Sequence, residues 1–230
     1  PFLIPFLIAM TLGLKLKWIK SEIEDKKNLI IFFLISVSIS ILIVRNFDTN
    51  FLIYTVLISS AFFLFFVTVR DFFVKKFSSF SQNISHFGFS LLILSILFNN
   101  FLTNETIINL KLGQTHVAEK FIIKFEDVNQ SSKKNYESVV GKFSVKNNDG
   151  KTDILYPELR IYNQPNIVTS EAYIKTNFFL DKFMTMNYVQ NEEYFNIRYQ
   201  TKPLMLWIWI SVILISLGGL TSLFKKKYES

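Results

Sequence analysis

Four long stretches of the chain contain no Lys, Arg, Asp or Glu and consist mostly of large apolar side chains: Asn28–Val44, Phe51–Val69, Ile84–Phe101 and Pro203–Leu223. A helix needs roughly 20 such residues to cross the hydrocarbon of a bilayer. In hydrocarbon a backbone must satisfy its own N–H and C=O groups, and these runs lack the alternation of a membrane strand, so helices are what they predict. Pro203 is expected in the first turn of the last helix, where its missing N–H costs nothing. The run Pro1–Leu14 reads as the tail of a fifth span. It lacks the basic start and small-residue cleavage site of a secretory signal. The predicted organisation is therefore membrane helices within residues 1–101 (about 1–14 truncated, 28–44, 51–69 and 80–101, with Phe77 and Phe80 extending the fourth). A folded domain follows over 102–202, then a final helix over 203–224 and a tail, 225–230.

The formal charge of +7 invites a nucleic-acid reading, and its distribution removes the need for one. Lys15, Lys17, Lys20, Lys26 and Lys27 follow the first apolar run. Arg70, Lys75 and Lys76 follow the third, and Lys225, Lys226 and Lys227 the last. Residues 102–202 are nearly balanced, with 13 basic and 12 acidic residues. The excess thus falls in alternate loops, as the positive-inside rule expects. It places residues 15–27, 70–79 and 225–227 in the cytoplasm, and 45–50 and 102–202 outside. The sequence has no cysteine, which excludes disulfides, thiol redox chemistry and Cys-ligated metals within these residues.

The 102–202 region reads as all-β. Phe121, Ile123 and Phe125 alternate with Ile122 and Lys124, and Val139, Gly141, Phe143 and Val145 with Val140, Lys142 and Ser144. Phe195, Ile197 and Tyr199 repeat the pattern. Turn signals stand at Asn129–Lys134, at Asn147–Gly150 and at Asn163–Asn166 around Pro165. Asp149-Gly150 between two strand-like runs is a hairpin signal. Six to eight short strands in a sandwich or small barrel are expected.

His86, in Ser85-His86-Phe87-Gly88 inside the fourth span, is the candidate site residue. Ionisable groups within a membrane helix are costly and tend to be functional. Neutral imidazole is also the commonest metal ligand. Gly88 would let a flat macrocycle or a second helix come close. Two readings stay open on the residue alone: an axial ligand of a haem iron, or an imidazole hydrogen-bonded to a neighbouring helix. His116 is expected at the surface of the β-domain. Trp207 and Trp209 suit interfacial anchoring, and Leu217-Gly218-Gly219-Leu220 suits close helix packing. The chain has no phosphate-cradling glycine loop, nucleophile elbow or paired His and carboxylate in the β-region.

The ordered set of features resembles the C-terminal third of the CcmF/NrfE haem lyase family of cytochrome c maturation. It comprises the His-containing span, an outer β-domain, Lys202-Pro203-Leu204-Met205-Leu206-Trp207-Ile208-Trp209 and the Gly218-Gly219 pair. Asn135-Tyr136 with Gly141-Lys142-Phe143-Ser144-Val145, Pro157-Glu158-Leu159-Arg160-Ile161-Tyr162, Ser170-Glu171-Ala172 and Ile197-Arg198 add to the likeness. Leu159 departs from the family's Lys, Asp181-Lys182-Phe183 from its Asp-Leu-Tyr, and Gln200-Thr201 from an aromatic pair. The resemblance implies that His86 is one axial ligand of a transmembrane haem b, with the second ligand on an earlier helix. It implies thioether formation between haem and apocytochrome c by the full-length protein or complex, this portion alone being inactive. It also implies an inner (plasma) membrane location with a large periplasmic domain. The expected partners are the lipid bilayer, other cytochrome c maturation subunits, apocytochrome c, and haem or a haem chaperone, with no nucleic acid. Two competing readings are a non-enzymatic, membrane-anchored assembly or docking subunit, with His86 merely packed, and a transporter fragment, which the unbroken spans disfavour.

Overall fold

The computed structural model describes residues 2–13, 26–47, 50–74, 79–189 and 193–225. The expectations for Lys15, Lys17, Lys20, Lys75, Lys76, Phe77, Lys226 and Lys227 lie outside the described residues. The chain divides into two compact units, one of residues Pro1–Phe101 with Leu204–Ser230 and one of Leu102–Pro203.

The first unit is helical: α1 (Leu3–Gly13), α2 (Lys26–Val44), α3 (Phe51–Val74), α4 (Phe80–Leu102) and α5 (Met205–Lys225). Four of these, α2 to α5, are long and apolar enough to cross a membrane. Local chemistry sets their starts. The Asn50 side chain caps α3, its Oδ1 accepting from the Ile53 N–H at 3.4 Å. Ser79 and Gln82 form a capping box before α4: the Ser79 Oγ accepts from the Gln82 N–H at 3.3 Å, and the Gln82 Oε1 from the Ser79 N–H at 3.2 Å. Apolar side chains such as Ile30, Ile31, Leu34, Ile213 and Leu217 point outward, which suits hydrocarbon and not water. Inside, Leu7 of α1, Ala61 and Leu64 of α3 and Leu94 of α4 pack together.

Two helical expectations change. The third helix runs past Val69 to Val74, so Arg70 belongs to a helix and not to a loop. Asp71 is 3 % exposed, and the Phe72 ring packs edge-on against Phe80 and Phe87 of α4, which holds the extra turn in place. Pro203 does not open the last helix. It ends a strand, pairing with Leu180, and α5 starts at Met205. Between them Leu204 takes a positive φ of 60°, and its carbonyl accepts from the Ile208 N–H at 3.2 Å, so Leu204 is the residue that turns the chain into the helix.

The second unit is a β-sandwich of antiparallel strands: β1 (Asn104–Leu110), β2 (Thr115–Val117), β3 (Phe121–Ser132), β4 (Tyr136–Asn147), β5 (Thr152–Leu155), β6 (Glu158–Asn163), β7 (Asn166–Glu171), β8 (Tyr173–Lys175), β9 (Leu180–Tyr188) and β10 (Phe195–Pro203). One sheet has the order β1-β10-β9-β8, the other β2-β3-β4-β6-β7, with β5 also pairing to β4. Their inner faces meet in one core. Ile123, Phe125, Phe143, Val145 and Leu155 come from one sheet; Leu110, Met184, Met186, Ile197 and Tyr199 come from the other. Phe125 and Phe143 stack with ring centroids 4.3 Å apart. Each such burial contributes about 1.5–3 kcal/mol. The Asp149-Gly150 signal corresponds to the β4–β5 hairpin, where Gly150 takes φ 80°. The expected turn at Asn129–Lys134 is instead mostly strand, because Asn129 to Ser132 pair with Glu137 to Val140; the turn is confined to residues 133–135.

Candidate functional site

His86 lies in the N-terminal half of α4, half-buried in a helix whose buried positions are Ser81, Asn83, Gly88, Ser90, Leu94 and Ser95. With 3.6 residues per turn, Asn83, His86 and Ser90 fall along one side of α4. Asn83 is 4 % exposed and Ser90 fully buried, so this side faces the interior of the helical unit. The neighbouring rings fix the direction. Phe87 packs against Phe65 and Phe72 of α3 at 5.3 and 5.9 Å, and Phe89 against Phe6 of α1 at 5.6 Å. The imidazole therefore projects from the part of α4 that α1 and α3 flank. Asp71 of α3, at 3 % exposure, is a buried acidic group of the same helical unit. Arg70, Asp71 and Asn83 all have polar or electrostatic partners. Sequence reasoning missed Asp71, Asn83 and Ser90; the available signal was the i, i+3, i+7 spacing of polar residues around a lone histidine.

Gly88 serves a helix. A Cβ built there would stand 3.0 Å from the Leu214 and Ile215 side chains of α5. Of the two readings offered for Gly88, a close second helix is what the structure contains. Among the described residues, no three His, Cys, Asp or Glu side chains gather as a metal-ion cluster. A metal held here would take one imidazole from this chain.

The β-sandwich brings together the stretches singled out by their family likeness. Glu158, Arg160 and Tyr162 alternate outward along β6, while Leu159 is buried at 2 % exposure, so an aliphatic side chain suits the position in this chain. Glu158 accepts from the Ser138 hydroxyl at 2.6 Å and pairs with Arg160 at 2.9 Å. Arg160 also lies 3.7 Å from Glu171 and 5.2 Å over the Tyr136 ring, which is 5.3 Å from Tyr162. The Arg160 and Ser138 hydrogen bonds hold the Glu158 carboxyl below its ordinary range, the guanidinium being the larger cause. These residues, distant in sequence, thus form one cluster across β4, β6 and β7. His116 sits in β2 opposite Ile123, half-buried and not fully at the surface.

Residues 101–203 match the family described as the CcmF C-terminal beta-sandwich. The chain is 24 % identical to the cytochrome c-type biogenesis protein CcmF of Escherichia coli K12, over 99 % of this chain and 36 % of that protein. It is 24 % identical to the cytochrome c-type biogenesis protein NrfE of Haemophilus influenzae, over 76 % of this chain and 28 % of that protein. Among solved structures, one titled cytochrome c heme lyase CcmF superposes with a TM-score of 0.71 at 18 % identity, covering 94 % of this chain and 38 % of the other. The chain thus spans about a third of the length of these relatives. Residues 101–203 thus match the family described as the CcmF C-terminal beta-sandwich, and the chain as a whole is similar to about a third of the length of the CcmF and NrfE cytochrome c-type biogenesis proteins.

Proposed function

We propose that this chain is part of a cytochrome c haem lyase, in which His86 is one axial ligand of a haem b within the membrane. The observation that carries the reading is a half-buried imidazole in a membrane-type helix, on a side of α4 where buried Asn83 and Ser90 supply polar neighbours. An imidazole nitrogen is a suitable donor to haem iron. The residues fit one half of such a site, since the membrane-type helices of this chain supply a single histidine and a second ligand would have to come from outside these residues. When bound, the haem would supply one-electron chemistry that keeps the iron of the delivered haem reduced. The chain's own part is to present a neutral imidazole, to fix its direction through the packing of Phe87 and Phe89, and to surround it with side chains that exclude water.

The β-sandwich, in this reading, lies on the periplasmic side of the inner membrane and docks apocytochrome c, a haem chaperone or other maturation subunits. The residues given provide no thiol and no nucleophilic constellation, which suits a lyase that acts on thiols of its substrate. In cells whose full-length protein carries His86→Ala, holocytochrome c should fall at least about tenfold, the scale expected when a metal site is weakened. Wild-type holocytochrome levels with that substitution would instead favour the non-enzymatic docking subunit, with His86 as a packing residue.

A further inference from the structure

The side of α4 opposite the imidazole is built from Ser81, Ser85 and Gly88, spaced at i, i+4 and i+7, and α5 packs on it. The fit is close. The Ser81 hydroxyl donates to the Gly218 carbonyl at 2.5 Å, across the two helices. A Cβ built at Gly218 would come within 2.8 Å of the Ser85 backbone nitrogen and 2.9 Å of the Ser81 carbonyl oxygen, and would overlap the Ser85 hydroxyl. Gly88 makes the second contact, on Leu214 and Ile215, one turn further along both helices. Gly219, beside Gly218, has nothing within 4 Å. The two adjacent glycines are therefore not equivalent. One is a contact point at which no side chain fits, and the other faces open space.

These contacts bracket His86. Ser85 precedes it and Gly88 follows two residues later, so α5 fixes the α4 backbone on both sides of the imidazole's own Cα. His86 stands about 100° round the helix from Ser85, which turns it away from α5. We infer that Gly218, with Ser81 and Gly88, is a positioning element for His86: it sets the depth and rotation of α4, and hence where the imidazole nitrogen lies. Between helices in a bilayer, where apolar burial gives no drive for association, close packing of small residues and interhelical hydrogen bonds are the forces available. An added methyl at Gly218 leaves α4 and α5 two responses: to separate, or to rotate. Either moves the imidazole by a distance that matters to a metal ligand, because ligand orientation by surrounding groups changes metal affinity by about 10- to 100-fold. The inference rests on His86 being a haem ligand.

The test compares Gly218→Ala, Gly219→Ala, Ser81→Ala and His86→Ala in the full-length protein, purified in detergent without added haem. Haem per polypeptide and the reduced and oxidised absorption spectra are recorded. Gly218→Ala should lower haem content about tenfold or convert the spectrum from six-coordinate low-spin towards high-spin. Gly219→Ala should match wild type. Ser81→Ala, which removes one hydrogen bond and inserts no atom, should give a smaller change in the same direction and keeps the test informative if Gly218→Ala does not accumulate. Adding Ser85→Ala to Gly218→Ala removes the overlapping hydroxyl and should restore part of the signal. Wild-type spectra for Gly218→Ala or for Ser81→Ala, or equal losses at Gly218 and Gly219, would overturn the positioning role. If His86→Ala itself retains the wild-type spectrum, the ligand reading fails instead, so the two failures are distinguishable.

Discussion

Lys182 is 4 % exposed in the β-sandwich, and its ammonium is tolerated there because Asp153 meets it, while the Asn147 side-chain oxygen accepts from it at 2.9 Å. Lys175 reaches the other carboxylate oxygen of Asp153. The charge is thus shared over strands of both sheets. Truncating Asp153 leaves a buried cation unpaired, a change that costs roughly 3–5 kcal/mol. Asp153→Ala should lower the thermal midpoint of the β-domain by more than about 10 °C, followed by hydrogen exchange in the full-length protein. An unchanged midpoint would contradict the assignment. Hydrogen bonds from Lys175 and then Lys182 hold the Asp153 carboxyl below its ordinary range. A carboxyl with a depressed value stabilises the fold above its unfolded-state value, about pH 4, and loses that contribution as pH falls through the folded-state value. Thermal scans between pH 7 and pH 3 should therefore show stability declining in acid, and less steeply in Asp153→Ala. None of this network was legible in the sequence: its partners stand 22 to 35 residues apart, and burial, not composition, makes Lys182 special.

At the scale of elements, alternation identified the strands whose two faces differ in polarity. Phe121, Ile123 and Phe125 are buried and Ile122 and Lys124 exposed, as the period of two requires. The far end of β3 escaped, because Asn129 to Ser132 have the composition of a turn and are exposed on a strand that pairs all the same. Gly141 marks a close approach within the core that spacing alone does not explain. A Cβ there would lie 2.6 Å from the Phe143 ring and 2.8 Å from the Met186 sulfur. Gly141→Ala is an overpacking change of about 1–3 kcal/mol. Urea or thermal unfolding should show that loss. Met186→Ala alone removes a fully buried side chain and costs about 2–5 kcal/mol. The double variant should lose less than the sum of the two single losses, since the sulfur is one of the two atoms in the way. Additive losses in the double variant would contradict the geometry. Among the helices, apolar run length found the membrane-type segments, while the true ends depended on features of another kind: the Ser79–Gln82 box, the buried Asp71 and the left-handed Leu204.

For the molecule as a whole, a helical unit with outward apolar side chains is joined through Leu102 and Pro203 to a β-sandwich with its own core. The fold class was legible because bilayer length and strand alternation are both written in hydropathy. The histidine was legible for the same reason, as an interruption of an apolar run, but its helix neighbours were not. The orientation proposed from alternating loop charge is testable directly, because the chain has no native cysteine. Cysteine introduced at Lys134, in an exposed turn of the sandwich, should react with a membrane-impermeant maleimide in intact spheroplasts, and cysteine introduced at Ser21, in the basic segment after the first apolar run, only after lysis. The reverse pattern would invert the topology. The central claim is that the imidazole of His86 binds haem iron, and the reduced-minus-oxidised absorption spectrum of the full-length protein measures it. A b-type α-band in the wild type that is lost or strongly diminished in His86→Ala is the outcome expected; a band that persists unchanged in that variant would contradict the account.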